Sequence, residues 1–309
     1  MVHVGIDVGK ETLSCCIDST VCEFANTEKG HVDILNWSGL DAQLCMESTG
    51  RYHLGIANLA WSRQVRCVVL DPLRAKRYLS FVTDRGKTDI MDARALARLS
   101  EKEGDRLRAY SPVPAQIQAA RDIQTRRRAI VESRVKLEQV VDSVGDPEKL
   151  LGGVIDGLKS VEKELSQDLC RMLKGYPEYE LLRGIPSIGP MSASLLLCAL
   201  ERGEFATSDS LVAFAGLDPT PSDSGKRRGK RYLSSRGDAQ LRTTLFMAAQ
   251  TAARLPEWRD YYLRQREKGY STTQSTIIVA RKLVRVAWSI YKTKREFVPN
   301  NNKKLDMKT

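Results

Sequence analysis

The order of apolar patterns in the first hundred residues admits few folds. Three short runs of β-type alternation, residues 2–7, 12–17 and 21–25, follow one another with only turn residues such as Gly9 between them. The period then changes: a helical pattern over residues 31–40 leads to a strand at 43–47, then a helix from about 52 to 63. Residues 65–70 form a continuous apolar run, as in a strand buried on both faces. Pro72 suits the first turn of a further helix, and residues 89–103 repeat Ile90, Ala93, Leu96, Ala97 and Leu99 at helical spacing. Strands joined by tight turns must run antiparallel, whereas strands joined through helices run parallel. The two connections together predict a mixed sheet, a three-strand meander extended by crossover strands.

That order matches the ribonuclease-H-like plan, and acidic residues interrupt it at informative places. Asp7 lies inside the first strand, in Gly5-Ile6-Asp7-Val8-Gly9, where a carboxylate is costly unless something positive neutralises it. Glu47 ends the next core strand, in Cys45-Met46-Glu47-Ser48-Thr49-Gly50. The predicted sheet makes these strands neighbours. Asp89 and Asp92 stand at i and i+3, on one face of the first turn of the last helix. Four gathered carboxylates repel one another without divalent cations. Mg²⁺ takes oxygen ligands and keeps waters and substrate phosphates in its shell. Two such ions about 4 Å apart stabilise both the entering and the leaving oxygen of a phosphoryl transfer. Taken singly, Asp89 also reads as a helix N-cap or first-turn acid, and Asp92 as a surface acid pairing with Arg85 or Lys87.

Beyond residue 111 the chain changes character. Residues 115–174 are charged and carry Ile117, Ala120, Ile123, Ile130, Val131, Val135, Leu137 and Val140 at helical spacing. Gly145-Asp146-Pro147 breaks the pattern, which resumes through Leu151, Ile155, Leu158, Val161, Leu165 and Leu169. Two long helices with narrow apolar stripes need a partner, either each other in an antiparallel hairpin or a second subunit in a coiled coil. Arg126-Arg127-Arg128 reads equally as a solvated face or a phosphate contact. From about residue 179 the pattern is mainly helical. Gly184-Ile185-Pro186-Ser187-Ile188-Gly189-Pro190 lies between apolar helical arms, a helix-hairpin-helix-like element whose backbone N–H groups can hold a phosphate or simply turn a corner. Residues 217–237 lose periodicity, and helices resume over 239–255 and 273–291. The predicted division is an α/β metal-binding domain over 1–110, a helical assembly region over 111–178, a mainly helical domain over 179–299 and a disordered tail over 300–309.

Charge narrows the partners. The net charge of +11 is carried by the rear of the chain: residues 225–309 hold 21 Lys/Arg against 6 Asp/Glu. A basic surplus of that size points to a polyanion, most often nucleic acid. The seven cysteines form no CxxC pair, and three histidines supply no zinc-ligand spacing. Asp7 interrupts the N-terminal apolar run, which excludes a signal peptide, and residues 191–200 are too few to span a bilayer. The expectation is a soluble protein of a reducing cytoplasm, associated with the nucleoid and with no membrane partner.

The motifs Gly5-Ile6-Asp7-Val8-Gly9-Lys10, Glu47-Ser48-Thr49-Gly50-Arg51-Tyr52, Asp71-Pro72 and Lys87-Thr88-Asp89-Ile90-Met91-Asp92-Ala93-Arg94 resemble those of the DEDD-type insertion-sequence transposases related to the pilin-gene invertases. The likeness continues through residues 182–190, Phe214-Ala215-Gly216-Leu217-Asp218-Pro219, Ser224-Gly225 and Gly237-Asp238-Ala239-Gln240-Leu241-Arg242, in the family's order. The chain has Gly237-Asp238 where the family often has Gly-Asn. The resemblance implies a RuvC-like first domain whose Asp7, Glu47, Asp89 and Asp92 bind Mg²⁺, as two ions. It implies a serine nucleophile in the second half, Ser224 ahead of Ser222, in a loop with Lys226, Arg227, Arg228, Lys230 and Arg231, with Arg242 close behind. Those cations would bind DNA and neutralise a pentavalent phosphorus. It implies further that a structured noncoding RNA guides the protein, that it works on element ends and target DNA, and that a dimer or tetramer of the chain assembles for it. The residues alone leave two other readings open: a hydrolytic junction-resolving nuclease using only the acids and water, and a non-catalytic nucleic-acid-binding protein with structural acids.

Overall fold

The computed structural model describes residues 1–72, 75, 76, 78, 89–147, 149–203, 205–220, 232, 233 and 237–299. The chain forms two compact units, Met1–Pro112 and Val113–Thr309.

In the first unit, β1 (Val2–Val8), β2 (Thr12–Ile17) and β3 (Thr20–Ala25) make the meander, followed by α1 (Glu28–Ser38), β4 (Ala42–Glu47), α2 (Leu54–Ser62), β5 (Arg66–Leu70) and α3 (Asp89–Glu103). The sheet order is β3-β2-β1-β4-β5. β1 pairs antiparallel with β2 and parallel with β4, and β4 pairs parallel with β5, which is the ribonuclease-H-like arrangement. Alternation sends Ile6, Leu44 and Met46 to one face, where they meet Ile34 of α1 and Ile56 of α2. The other face carries Cys45, Val68 and Leu70, and Leu96 and Leu99 of α3 cover it. Close approach of α3 to β1 depends on Gly5. A Cβ at that position would stand 1.9 Å from the Ala93 carbonyl oxygen and 2.3 Å from the Ala97 nitrogen. The helix expected to start at Pro72 falls mostly outside the described residues.

The second unit is helical. α4 (Ala115–Val144) and α5 (Leu150–Leu173) form an antiparallel hairpin: Gln116 Nε2 donates to the Met172 carbonyl, while Arg127 Nη2 donates to Glu162 Oε1 at 2.6 Å. Arg127 Nε also donates to Ser166 Oγ, and Arg134 Nε donates to Glu162 Oε2, so Glu162 ties the two helices together. α6 (Pro177–Arg183) and α7 (Pro190–Arg202) flank the Gly-rich corner, with Ile185 and Ile188 buried and Trp258 Nε1 donating to the Pro186 carbonyl at 3.0 Å. There follow α8 (Ser208–Phe214), a two-residue ladder of β6 (Pro219–Thr220) and β7 (Tyr232–Leu233), α9 (Ala239–Ala252), α10 (Pro256–Glu267) and α11 (Thr272–Thr293). Leu182, Leu196, Leu197, Leu245, Leu283 and Val284 form the centre of its core.

Two helices of this unit escaped the periodicity argument. α8 is seven residues long, and α10 buries only Trp258 and Gln265, so neither shows an apolar stripe. Their start signals are present nonetheless: a Thr207–Ser210 capping box before α8, and Pro256 at the first position of α10. The tail over 300–309 lies outside the described residues. Among the described residues no helix is long and apolar enough to cross a membrane.

Candidate active site

The register of the first unit brings the acids to one end of the sheet. The parallel ladder pairs Gly5 with Cys45 and Ile6 with Met46, so one further step sets Asp7 beside Glu47. Period-two alternation turns Asp7 the same way as Gly5, and Glu47 the same way as Cys45, toward the face that α3 covers. The path of α3 along that face follows from its contacts. Ser100 Oγ lies 3.0 Å from His3 Nδ1 and accepts from Gln43 Nε2, whereas Gly5 lies against Ala93 and Ala97. The helix therefore runs antiparallel to β1, and its N-terminus arrives at the strand ends that carry Asp7 and Glu47. Asp7 is two residues beyond Gly5, about 6.6 Å of strand, which is a little over four residues of helix. That rise puts Asp7 level with the turn bounded by Asp89 and Asp92.

Burial separates the members of this group. Asp92 is buried at 6% exposure, Asp7 and Glu47 are half-buried, and Asp89 is exposed. Ser14 stands opposite Asp7 across the antiparallel ladder. Like charges on neighbouring strands destabilise a sheet, so the arrangement calls for positive charge. An all-oxygen donor set of this kind suits a hard divalent cation. Among the described residues, however, no three His, Cys, Asp or Glu side chains are drawn closely enough together to hold a metal ion. The topology thus gathers the acids at one end without closing a cage around an ion.

One fastening at this end was not legible as a pattern. Asn26 Nδ2 donates to the carbonyls of Gly9 at 2.9 Å and Tyr52 at 3.1 Å, and its Oδ1 accepts from His31 Nε2 at 2.7 Å. The loops that follow Asp7 and Glu47 are thereby fastened to each other and to α1. Burial holds the His31 imidazole below its ordinary pKa, with Glu28 opposing, so the neutral ring serves as the donor. Arg94 and Arg98 of α3 lie beside β2, where they counter the upward push of burial on the Cys16 thiol.

In the second unit, the segment carrying Ser222, Ser224, Lys226, Arg227, Arg228, Lys230 and Arg231 lies outside the described residues, but its two ends are described. Pro219 pairs with Leu233 and Thr220 with Tyr232. The Leu217 N–H donates to Val212 and the Asp238 N–H to Phe214, both carbonyls of α8. Gly237, at φ +125°, permits this return, since a Cβ there would stand 2.3 Å from the Phe214 carbonyl oxygen. Asp238 then caps α9 by accepting from the Leu241 N–H at 2.9 Å. The segment therefore leaves and re-enters at the C-terminal end of α8, and Arg242 follows in the first turn of α9. One terminal nitrogen of Arg242, Nη1, is buried and has no hydrogen-bond partner among the described residues. Of the other cationic triplet, Arg127 braces the helical hairpin, Arg128 donates to Glu132, and Arg126 is exposed.

Residues 4–144 match the family model of DEDD-type transposases, described simply as a transposase, and residues 179–263 match the model described as "Transposase IS116/IS110/IS902 family". Along nearly its full length the chain is 26% identical to the pilin gene-inverting protein of Moraxella bovis, covering 96% of this chain and 97% of that one. The chain belongs to this DEDD-type insertion-sequence transposase and recombinase family. The corresponding Moraxella lacunata protein matches to the same extent. A 44.8 kDa protein of insertion element IS116 from Streptomyces clavuligerus is 35% identical over 39% of this chain and 31% of its own. Membership makes this transposase an enzyme of DNA strand exchange. The first matched span covers the four acids of the first unit and continues through α4 of the second, and the second span, within the second unit, covers the Gly-rich corner and the segment with Ser224.

Proposed function

We propose that this transposase cuts and rejoins DNA strands at insertion-element ends and target through a serine–phosphate intermediate. The observation that carries the reading is the convergence of Asp7, Glu47, Asp89 and Asp92 on one end of the first unit's sheet. These four residues would hold Mg²⁺, as two ions, which supplies charge neutralisation and orientation at a phosphate oxygen. The remaining chemistry belongs to the chain. Ser224 Oγ forms a bond to phosphorus as the bond to a deoxyribose oxygen breaks. The serine gives up its proton and the departing oxygen takes one up. The linkage conserves the energy of the phosphodiester, so rejoining needs no ATP. Lys226, Arg227, Arg228, Lys230, Arg231 and Arg242 bind the strand and neutralise charge on the five-coordinate phosphorus.

The functional division we propose is 1–110 for metal, 111–178 for assembly and 179–299 for the serine, with the helix-hairpin-helix-like corner adding sequence-independent backbone contacts. Exposed Val144, Leu150 and Val154 at the tip of the α4–α5 hairpin support assembly of dimers or tetramers through that element. The family likeness and the basic surplus support a noncoding guide RNA held through its backbone and a cytoplasmic, nucleoid-associated setting. The test is trapping of a covalent protein–DNA adduct in Mg²⁺. Ser224→Ala removes the adduct. An adduct that survives Ser224→Ala and disappears in Ser222→Ala moves the nucleophile, and Mg²⁺-dependent nicking with no adduct replaces the scheme with hydrolysis.

A further inference from the structure

The helix that brings Asp89 and Asp92 to the end of the sheet also turns two arginines to solvent beside it. α3 buries Ala93, Leu96, Ala97 and Leu99, while Ile90, Arg94 and Arg98 are exposed. Steps of four residues keep those three in one row, each about 6 Å further along the axis. Glu101 and Lys102 are both exposed at the far end, so net positive charge is confined to the two turns after Asp92. The guanidiniums reach over β2. Arg94 Nη2 donates to the Ser19 carbonyl, in the turn after β2, at 3.5 Å. The charges of both arginines act on Cys16 of β2, where Asp18 opposes them. Cys16 pairs with Gly5, two residues before Asp7. The level of Cys16 is therefore about 6.6 Å of strand from Asp7. Along the helix, Arg94 and Arg98 follow Asp92 by about 3 Å and about 9 Å of rise.

Gathered carboxylates repel a DNA strand as well as one another, so holding a strand against them takes positive charge at their flank. A guanidinium supplies it with fixed, planar donors that match a phosphate oxyanion. Exposure keeps those donors open to a ligand, and a row along one helix meets a strand through its backbone, whatever its sequence.

We propose that Arg94 and Arg98 of α3 hold backbone phosphates of the DNA strand that is cut, beside the phosphate that meets Asp7, Glu47, Asp89 and Asp92. This rests on the reading of those four acids as the cutting site. On this account one helix does two things: its first turn brings carboxylates to the site, and its outer side guides the strand there.

The experiment measures equilibrium binding of the full-length chain to a fluorescein-labelled DNA duplex without Mg²⁺, so that no strand is cut, across a range of salt. Arg94→Gln with Arg98→Gln removes both charges. The dissociation constant is expected to rise about tenfold, with the slope of log affinity against log salt falling by about two. Arg94→Lys with Arg98→Lys restores the slope. Lys29→Gln with Arg63→Gln removes two exposed charges from the helices on the opposite face of the sheet, and is expected to change binding much less. A loss for the Arg94 and Arg98 pair no greater than for that control overturns the proposal. So does a loss that comes with a fall in melting temperature, which marks the arginines as structural, or one seen with an RNA strand of the same sequence and not with DNA. Failure of the acid reading shows elsewhere, as a protein–DNA adduct that survives Asp7→Asn in Mg²⁺.

Discussion

On the proposed reading Asp92 is the acid to test first, because it is buried where the other three are half-buried or exposed. Asp92→Asn keeps its shape and removes its charge, and Mg²⁺-dependent adduct formation is expected to fall about a hundredfold or more, as loss of one electrostatic group in a preorganised site does. Equilibrium DNA binding without Mg²⁺ should stay near wild type, and comparing the two assays on one preparation checks both halves. Gly5 is the complementary case, since its contribution is the absence of a side chain. Gly5→Ala drives a methyl into the Ala93 and Ala97 backbone, and a loss of about 3 kcal/mol is expected from urea melts, at the upper end of overpacking costs. His31 gives a pH signature. Its folded-state pKa lies below the ordinary value of 6.5, so the unfolded chain binds more protons as pH falls through that value. Stability is therefore full above about pH 6.5 and declines as the medium becomes more acidic. Urea melts across this range should show the decline, and His31→Gln should flatten it.

At the scale of elements, the first unit was largely legible because each strand and helix announces itself by period. Residues 2–8, 12–17 and 42–47 alternate or run apolar, and the observed sheet follows the predicted order. The convergence of Asp7 and Glu47 was legible for the same reason: both interrupt apolar strands that topology makes neighbours. The Asn26–His31 fastening was not, because it joins loops separated in sequence through single side chains with no repeating pattern. The helical hairpin shows what sequence leaves open. Its stripes called for a partner, and the structure supplies one within the chain, with Glu162 receiving both Arg127 and Arg134. Glu162→Ala leaves those two poorly exposed guanidiniums without their shared carboxylate, and a loss of about 2 kcal/mol is expected in chemical denaturation.

Across the whole molecule, charge and chemistry are apportioned along the chain. The acids fall in the first unit and the basic surplus in the second, so removing a carboxylate and removing a cation should produce different failures. Loss of an acid stops strand cutting while the protein still binds DNA; loss of a cation weakens binding in a salt-dependent way. The first rests on one physical claim, that the acids at the end of the first sheet act together as a divalent-cation site. The most direct measurement is Mn²⁺ binding to the full-length chain, followed by electron paramagnetic resonance for the wild type, Asp7→Asn, Asp92→Asn and Ser224→Ala. The account predicts that binding is lost in both acid variants and retained in Ser224→Ala. Wild-type Mn²⁺ binding in both Asp7→Asn and Asp92→Asn would contradict it.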